Sequence, residues 1–241
     1  MTEWGEDLAE WWLGEVSSDL AYAEEVMPLA LAMLRPQPAH TYLDLGCGEG
    51  RLLEALAASG SSGIGIDASP RLISVARGHA PVAIGRLPDV DFIADDSVDG
   101  VAIILVMEHL TEWVRLLEEA ARVTKDGGVL ALVANHPLIT APDSAPVVDP
   151  SDGEVLWRWG RYFAHGFTEE QAGDVPIRFH HRTLSELLGA AARAGWGLDD
   201  IVELGVGPAR ASRDPLLAAQ LELPRLIGVR WIRQARSQID L

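Results

Sequence analysis

The sequence predicts an α/β fold built on a parallel β-sheet. Short apolar runs alternate with stretches whose apolar side chains recur at helical spacing throughout residues 41–135. Glycine or an acidic residue ends the first two runs, at Gly46 and Asp67. Strands that alternate with helices form parallel sheets with right-handed crossovers, so we expect a doubly wound sheet.

The boundaries of the elements follow from apolar content and end signals. TYLDL at 41–45 is short, apolar and stopped by glycine, which is typical of a buried strand. Ser69 followed by Pro70 is typical of a helix N-cap and first turn. VDGVAIILV at 98–106 is largely apolar, which predicts a strand buried on both faces. The predicted strands are 41–45, 63–67, 81–85, 98–106 and 127–135, with helices at 50–60, 69–78 and 111–123.

Two further segments flank this core. Residues 1–40 predict a helical cap, because their apolar side chains fall on helical faces. The first face comprises Trp4, Leu8, Trp11 and Trp12. Residues 183–241 begin with the pattern of a capping box, in which Thr183 and Glu186 are the two paired residues. The rest of this segment predicts a helix and two closing strands. The closing strands are 198–206 and 225–233.

Residues 136–182 interrupt the alternation directly after the fifth strand. They are rich in proline, glycine and aromatic residues and have no clear periodicity. A long irregular insertion in a compact domain is more often functional than a plain connector, so we expect a lid. Its aromatic residues are Trp157, Trp159, Tyr162, Phe163, Phe167 and Phe179. We find no linker and expect residues 1–241 to form a single domain.

The composition argues against several classes of partner and compartment. Nineteen basic and 36 acidic residues give a net charge of −17, which repels nucleic acid and anionic membranes. No apolar run approaches the roughly 18 residues of a membrane span. The acidic start, MTEWGEDLAEWW, does not resemble a signal peptide, so we expect a cytoplasmic protein. A single cysteine, Cys47, excludes an intrachain disulfide and a multi-cysteine zinc site, and we predict no metal.

Three glycines spaced two residues apart follow the first strand in YLDLGCGEGRL. A triphosphate-binding loop would need Lys and Ser or Thr after its last glycine, but Gly50 is followed by Arg51 and Leu52. A dinucleotide fingerprint needs a glycine at its sixth position, which Arg51 occupies here. Dinucleotide binding, as in a NAD(P)-dependent oxidoreductase, is therefore an alternative rather than the first interpretation.

Four motifs together resemble the class I S-adenosylmethionine-dependent methyltransferases. In the order of that family they are LDLGCGEG, GIGIDAS, VDGVAIILVMEHL and AARVTKDGGVLALV. The resemblance covers about residues 40–135, with a looser match through RTLSELLGAAARAGW and the closing strands. It implies S-adenosylmethionine as cofactor. It also implies a Rossmann-like sheet of seven strands, the last antiparallel and inserted beside the sixth.

The residue types of these motifs suit that cofactor. Gly46 and Gly48 remove side chains from the path of an amino acid and a nucleoside. Asp44, near the end of the first strand, can attract an ammonium group, and Asp67 can accept hydrogen bonds from both ribose hydroxyls. The cofactor-binding residues that the resemblance implies are Asp44, Gly46, Cys47, Gly48, Gly50, Asp67, Ala68, Leu87, Asp89 and Val106.

The segment after the third strand departs from the family pattern. Relatives place an acidic residue beside the adenine there, whereas this chain has Arg86 and Leu87. Leu87 suits an apolar wall for the ring. Asp89 and Asp91 follow closely, and the sequence does not choose between them as the replacement for the missing acid.

The acceptor of the methyl group is predicted to be a small molecule. Methyltransferases of nucleobases and glutamine amides carry Asn/Asp-Pro-Pro-aromatic after the fourth strand, where this chain has VMEHL. Glu108 and Asn135 do not reproduce the carboxylate set of metal-dependent catechol methyltransferases. Because ligand pockets are mostly apolar, an aromatic lid suits an apolar or aromatic acceptor.

A hydroxyl acceptor usually needs a general base, and two histidines follow strand ends. His136 is the first candidate, because Pro137 fixes the chain direction where the fifth strand ends. His109, after the fourth strand, is the second candidate. The alternatives to O-methylation are N- or S-methylation of a small molecule, oxidoreduction with NAD(P), and a catalytically inactive cofactor-binding homologue.

Overall fold

The structure is a computed structural model that describes residues 6–16, 20–172, 174–218 and 220–235. Trp4, which the sequence places on the first apolar helical face, lies outside the described residues. The strands in chain order are β1 (Thr41–Leu45), β2 (Ser62–Asp67), β3 (Val82–Ile84), β4 (Val98–Ile104), β5 (Thr124–Asn135), β6 (Ala145–Val148), β7 (Val155–Arg158), β8 (Gly166–Ala172), β9 (Val175–His181), β10 (Trp196–Leu204) and β11 (Leu226–Arg233).

Seven of these strands form one sheet in the order β10-β11-β5-β4-β1-β2-β3. Strand β4 lies at its centre, and β1 pairs in parallel with β2 and β4. Strand β11 is antiparallel to both of its neighbours, β5 and β10. The sheet confirms the predicted seven-stranded topology, in which the last strand is antiparallel and lies beside the sixth.

Helices cover both faces of the sheet. They are α1 (Glu6–Trp11), α2 (Met27–Leu34), α3 (Arg51–Ala58), α4 (Pro70–Ala76), α5 (Trp113–Val123), α6 (Pro137–Thr140), α7 (Leu184–Arg193), α8 (Pro208–Ala211) and α9 (Pro215–Ala218). Two π-helical turns, Trp12–Val16 and Tyr22–Val26, and a 3₁₀ turn, Met107–His109, accompany them. None of the helices in the described part of the chain has the length and apolar character that a membrane span requires.

Two local end signals predicted from the sequence are present. The Ser69 hydroxyl accepts a hydrogen bond from the Leu72 N–H at 3.3 Å and caps α4. The capping box of Thr183 and Glu186 begins α7, with both reciprocal hydrogen bonds formed. Because each of these bonds joins residues three positions apart, the local sequence is sufficient to specify them.

The insertion after β5 is more regular than the sequence indicates. Residues 136–182 contain α6 and two antiparallel hairpins, β6–β7 and β8–β9, rather than an irregular segment. The prediction that this segment is irregular was therefore wrong. Most side chains of β6 and β8 are exposed, so these strands lack the apolar alternation that reveals a half-buried strand.

The β8–β9 hairpin packs against the N-terminal cap. Leu8 of α1 is buried with Ala172 and Ile177 of the hairpin, and Trp11 and Phe179 pack around them. We call α1 and the β8–β9 hairpin together the cover. Since its two parts are far apart in the chain, they stabilise each other only in the folded protein.

Candidate active site

A cavity of about 370 Å³ lies where β1, β2, β3 and β4 end. This is the edge at which ligands bind in open α/β sheets. The predicted site residues that line it are Gly46, Cys47, Gly48, Asp67, Ala68, Leu87, Val106 and His109. The described lining residues include none from 136–182, so the insertion approaches this cavity only indirectly.

The glycine loop leaves β1 with left-handed backbone at Gly46 and Gly48, whose φ values are +84° and +52°. A Cβ on Gly46 would lie 2.3 Å from a methyl group of Val106, so no side chain fits there. At Gly48, by contrast, no atom of the described protein beyond the glycine and its two chain neighbours lies within 4 Å of a Cβ position. The loop therefore presents bare backbone at Gly48 to the open cavity.

Asp67, the last residue of β2, holds the loop against the strand end. Its Oδ2 accepts a hydrogen bond from the Gly48 N–H at 3.0 Å, and its Oδ1 accepts one from the Ser69 N–H at 2.8 Å. Burial raises the pKa of the Asp67 carboxyl, and the backbone N–H groups of Ser69, Gly48 and Ala68 oppose that effect. Each carboxylate oxygen can accept a second bond, so Asp67 can still receive two hydroxyl groups from the cavity.

Asp44 lies on β1 beneath the loop with its carboxylate buried. No described residue donates a hydrogen bond to this carboxylate. Burial, and secondarily the charge of Asp67, raise the pKa of Asp44 to about 8. A buried carboxylate without donors is costly, and a nearby cation would relieve that cost. Together Asp44 and Asp67 make this end of the cavity suited to a positively charged ligand that also carries hydroxyl groups.

The N-terminal cap is bonded to the glycine loop through Glu49. The Glu49 carboxylate accepts a hydrogen bond from the Trp12 indole N–H and pairs with Arg51, both at 2.6 Å. The Arg51 guanidinium lies 4.7 Å from the centre of the Tyr22 ring. Trp12 and Tyr22 also line the cavity, so they form an aromatic wall beside the loop.

Comparisons with known proteins place this geometry in a family. A family model described as a methyltransferase domain matches residues 43–132, the segment that forms the glycine loop and the strand ends. The chain contains a class I S-adenosylmethionine-dependent methyltransferase domain. The resemblance seen in the sequence motifs is thereby confirmed.

The relatives of the methyltransferase domain agree with this assignment. A ubiquinone biosynthesis O-methyltransferase of Paracidovorax citrulli is 31% identical over 129 residues, covering 49% of this chain and 53% of the relative. An uncharacterised methyltransferase of Mycobacterium bovis is 34% identical over 110 residues, covering 45% of each chain. The chain thus spans about half the length of the curated relatives it matches.

The fold agrees as well. A crystal structure of an S-adenosylmethionine-dependent methyltransferase from Mesorhizobium loti superposes with a TM-score of 0.76 at 23% identity. The match covers 90% of this chain and all of the other. At that identity the likeness describes the fold of the methyltransferase domain alone.

The cavity fits S-adenosylmethionine, the cofactor that this class of domain implies. The cofactor carries an ammonium, a sulfonium and a ribose diol, which match the buried Asp44 and the two-oxygen acceptor Asp67. The open space at Gly48 allows a ligand to approach the backbone. Among the described residues no group of three or more His, Cys, Asp or Glu side chains is arranged to hold a metal ion.

Four predicted site residues do not line the cavity. Gly50 lies against α4, where a Cβ would be 3.1 Å from the Ala76 backbone, so it serves helix packing. Asp44 is beneath the loop. Asp89 is exposed and pairs with Arg115 at 2.8 Å. His136 precedes α6 as its N-cap. The lining residues that sequence reasoning missed include Trp12, Tyr22, Arg86, Thr111 and Glu112.

His136 uses both ring nitrogens in structural hydrogen bonds. Its Nδ1 accepts from the Leu138 N–H at 3.1 Å and caps α6, and its Nε2 lies 2.7 Å from Glu203 of β10. Since Nδ1 accepts, Nε2 carries the proton and donates it to the carboxylate. Burial lowers the pKa of His136, against the opposing effect of Glu203. The structure therefore places the first catalytic candidate away from the cavity, as a brace between α6 and β10.

His109 lines the cavity from the 3₁₀ turn after β4. Its Nδ1 lies 2.9 Å from the backbone carbonyl oxygen of Arg178 in β9. A carbonyl only accepts, so Nδ1 is the protonated nitrogen and Nε2 of the neutral ring carries the basic lone pair. The ring of Phe179 packs 4.9 Å from the imidazole, centre to centre.

The aromatic residues of the insertion do not form one lining. Phe179 packs on His109, and the Trp157 indole N–H donates to Ser144 at 2.9 Å. Trp159 and Phe163 are 63% and 89% exposed. Among the described residues, the Trp and Tyr side chains that line the cavity are instead Trp12 and Tyr22 of the N-terminal cap.

Proposed function

We propose that the protein transfers the methyl group of S-adenosylmethionine to a hydroxyl group of an apolar or aromatic small molecule. The observation that carries this proposal is His109, a histidine that lines the cavity and whose Nδ1 lies 2.9 Å from the Arg178 carbonyl oxygen, which fixes the tautomer with the proton on Nδ1. Trp12 and Tyr22 provide an aromatic wall for such an acceptor. The relatives named as O-methyltransferases support the same reaction class.

Separate residues bind the cofactor and activate the acceptor in this proposal. When bound, S-adenosylmethionine would supply an electrophilic methyl group, whose bond to the sulfonium sulfur breaks and leaves a neutral thioether. The charge of Asp44, beneath the loop, attracts the ammonium of the cofactor, Asp67 accepts hydrogen bonds from its ribose hydroxyls, and Gly48 leaves room for it. His109 Nε2 accepts the proton of the acceptor hydroxyl, so that the oxygen becomes a better nucleophile. The remaining contribution is orientation, since an in-line displacement depends mainly on positioning.

The reaction class is tested by supplying methyl-labelled S-adenosylmethionine with matched phenols, anilines and thiophenols. We expect label on the phenol oxygen, at a rate well above that for the aniline. Label on nitrogen or sulfur alone would replace O-methylation by N- or S-methylation. Retained cofactor without transfer to any acceptor would indicate a cofactor-binding homologue, and binding of NADH in its place would indicate an oxidoreductase.

Removing the Asp67 carboxylate should weaken cofactor binding. Asp67→Ala loses an acceptor for the ribose hydroxyls, and a hydrogen bond to a charged group contributes about 1.5–3 kcal/mol. Titration calorimetry measures the change, with a melting curve to show that the fold is intact. Asp89→Ala is the control, because it removes the same charge from an exposed residue outside the cavity. Equal losses in the two variants would mean that net charge, not contact, explains the effect.

Cofactor affinity should rise with pH between about 6 and 7.5. Burial raises the pKa of Asp44 to about 8, so the carboxyl is largely protonated at neutral pH. An ammonium bound beside it favours the ionised form, so binding releases a proton and affinity increases by up to about tenfold per pH unit.

Calorimetry in buffers with different ionisation enthalpies counts this proton. Asp44→Asn removes the titrating group and retains its shape, so the release should disappear and the affinity should become weaker and less dependent on pH. Undiminished proton release in this variant would show that another group titrates.

A further inference from the structure

We propose that Arg182 is a positioning residue that holds His109 in the tautomer and orientation of a general base. The catalytic consequence of this inference rests on the proposed function. The positioning itself rests on hydrogen bonds from Arg182 and β9 to the turn that contains His109.

That turn has little structure of its own. Its backbone hydrogen bonds join the His109 N–H to the Val106 carbonyl at 3.0 Å and the Leu110 N–H to the Met107 carbonyl at 3.2 Å. A single 3₁₀ turn has poorer hydrogen-bond geometry than an α-helix and is readily distorted. Contacts from elsewhere in the protein must therefore determine where the imidazole points.

Arg182 supplies two such contacts on opposite sides of His109. Its Nη1 donates to the Met107 carbonyl at 2.8 Å, and its Nη2 donates to the Leu110 carbonyl. The guanidinium also lies 5.0 Å from the centre of the Trp113 ring, at the start of α5. Burial lowers the pKa of Arg182 to about 10, so the side chain remains charged at neutral pH. Hydrogen bonds from a charged donor are stronger than neutral ones.

Strand β9 contacts the imidazole ring itself. Arg182 follows β9 directly in the chain, and two residues of β9 contact His109. The Arg178 carbonyl accepts the Nδ1 proton, and the Phe179 ring packs on the imidazole. Strand β9 and Arg182 together thus orient the imidazole ring, select its tautomer and hold the backbone of the turn. Because β9 belongs to the cover, the geometry of His109 depends on the cover being in place.

Arginine is required for this role because its planar fork reaches two carbonyl oxygens at once. A lysine ammonium is a single point of charge and cannot reproduce the fork. Arg182→Lys therefore retains the charge and loses the simultaneous hydrogen bonds to the Met107 and Leu110 carbonyls. Arg178→Lys is the matched control. The Arg178 side chain pairs with Glu169 at 3.1 Å on the surface, and only its backbone carbonyl bonds to His109.

The test is ¹⁵N NMR of histidine-labelled protein, with the His109 signals assigned by their loss in His109→Gln. The wild type and Arg178→Lys should show His109 protonated at Nδ1, whereas Arg182→Lys should show a mixture of tautomers. A wild-type His109 protonated at Nε2 would overturn the proposal without any variant. A pure Nδ1–H tautomer in Arg182→Lys would overturn it as well. Should that variant fail to fold, Trp113→Leu removes the ring beneath the guanidinium and should produce the same mixture.

Turnover separates this inference from the proposed function. In Arg182→Lys, kcat should fall about tenfold while the affinity for S-adenosylmethionine is unchanged, since the loss of one charged hydrogen bond has this size. A tautomer mixture with undiminished kcat would support positioning by Arg182 but contradict His109 as the base. An unchanged tautomer with reduced kcat would contradict positioning and leave the role of His109 intact.

Discussion

Replacing Gly48 with valine should abolish the binding of S-adenosylmethionine. The backbone at Gly48 has a φ of +52°, and no atom of the described protein beyond the glycine and its chain neighbours lies within 4 Å of a Cβ position there. A valine side chain would therefore project into the cavity rather than into the protein. Its branched carbons would occupy the space through which a ligand approaches the loop, and the left-handed backbone would add strain.

A second glycine separates the effect of occupied space from that of backbone strain. Gly153, in the turn between β6 and β7, has a φ of +80° and also has open space around a Cβ position. Gly153→Val should therefore introduce comparable strain outside the cavity and leave cofactor affinity unchanged. Calorimetry measures binding, and melting curves compare the stability of the two variants. Binding by Gly48→Val at near wild-type affinity would mean that the cofactor lies elsewhere.

The sheet could be predicted from the sequence because its signals are local. β1 ends at the glycines that follow it, and the caps at Ser69 and Thr183 depend on residues three positions away. The pairing of β11 between β5 and β10 joins distant segments, and no local pattern specifies it. That part of the prediction came from the resemblance of four motifs to a family.

The insertion could not be predicted in the same way. The β8–β9 hairpin is largely polar, and the burial of Ile177 depends on Leu8 in α1. The hydrophobic pattern of either segment is too short to show that the two meet. The lack of local periodicity therefore predicted an irregular lid. The protein instead has two hairpins there, and one of them packs against the N-terminal cap.

The same limit applies to the candidate site. Gly48 and Asp67 line the cavity because the turn after β1 brings the loop to the end of β2. The closely spaced glycines that follow β1 in the sequence predict that turn. The role of a histidine depends instead on the partners of its two nitrogens. Glu203, which occupies Nε2 of His136, lies 67 residues along the chain. The sequence predicted the position of His136 at a strand end but not this bond.

His109→Ala should lower turnover by about 10²–10⁴-fold, the usual contribution of a general base. The affinity for S-adenosylmethionine should change little, because the residues expected to hold the cofactor are Asp44, Gly48 and Asp67. The loss should appear in kcat for a phenol acceptor. Steady-state kinetics and calorimetry on the same preparation separate the two quantities.

His136→Ala is the matched control, since it removes an imidazole from a strand end without touching the cavity. The variant loses the bond to Glu203 and the cap of α6, so its melting temperature should fall while kcat of the folded protein is retained. Loss of turnover in His136→Ala with full activity in His109→Ala would exchange the two roles. Full activity in both variants would show that no histidine base is needed, as expected for an amine or thiol acceptor that requires only positioning.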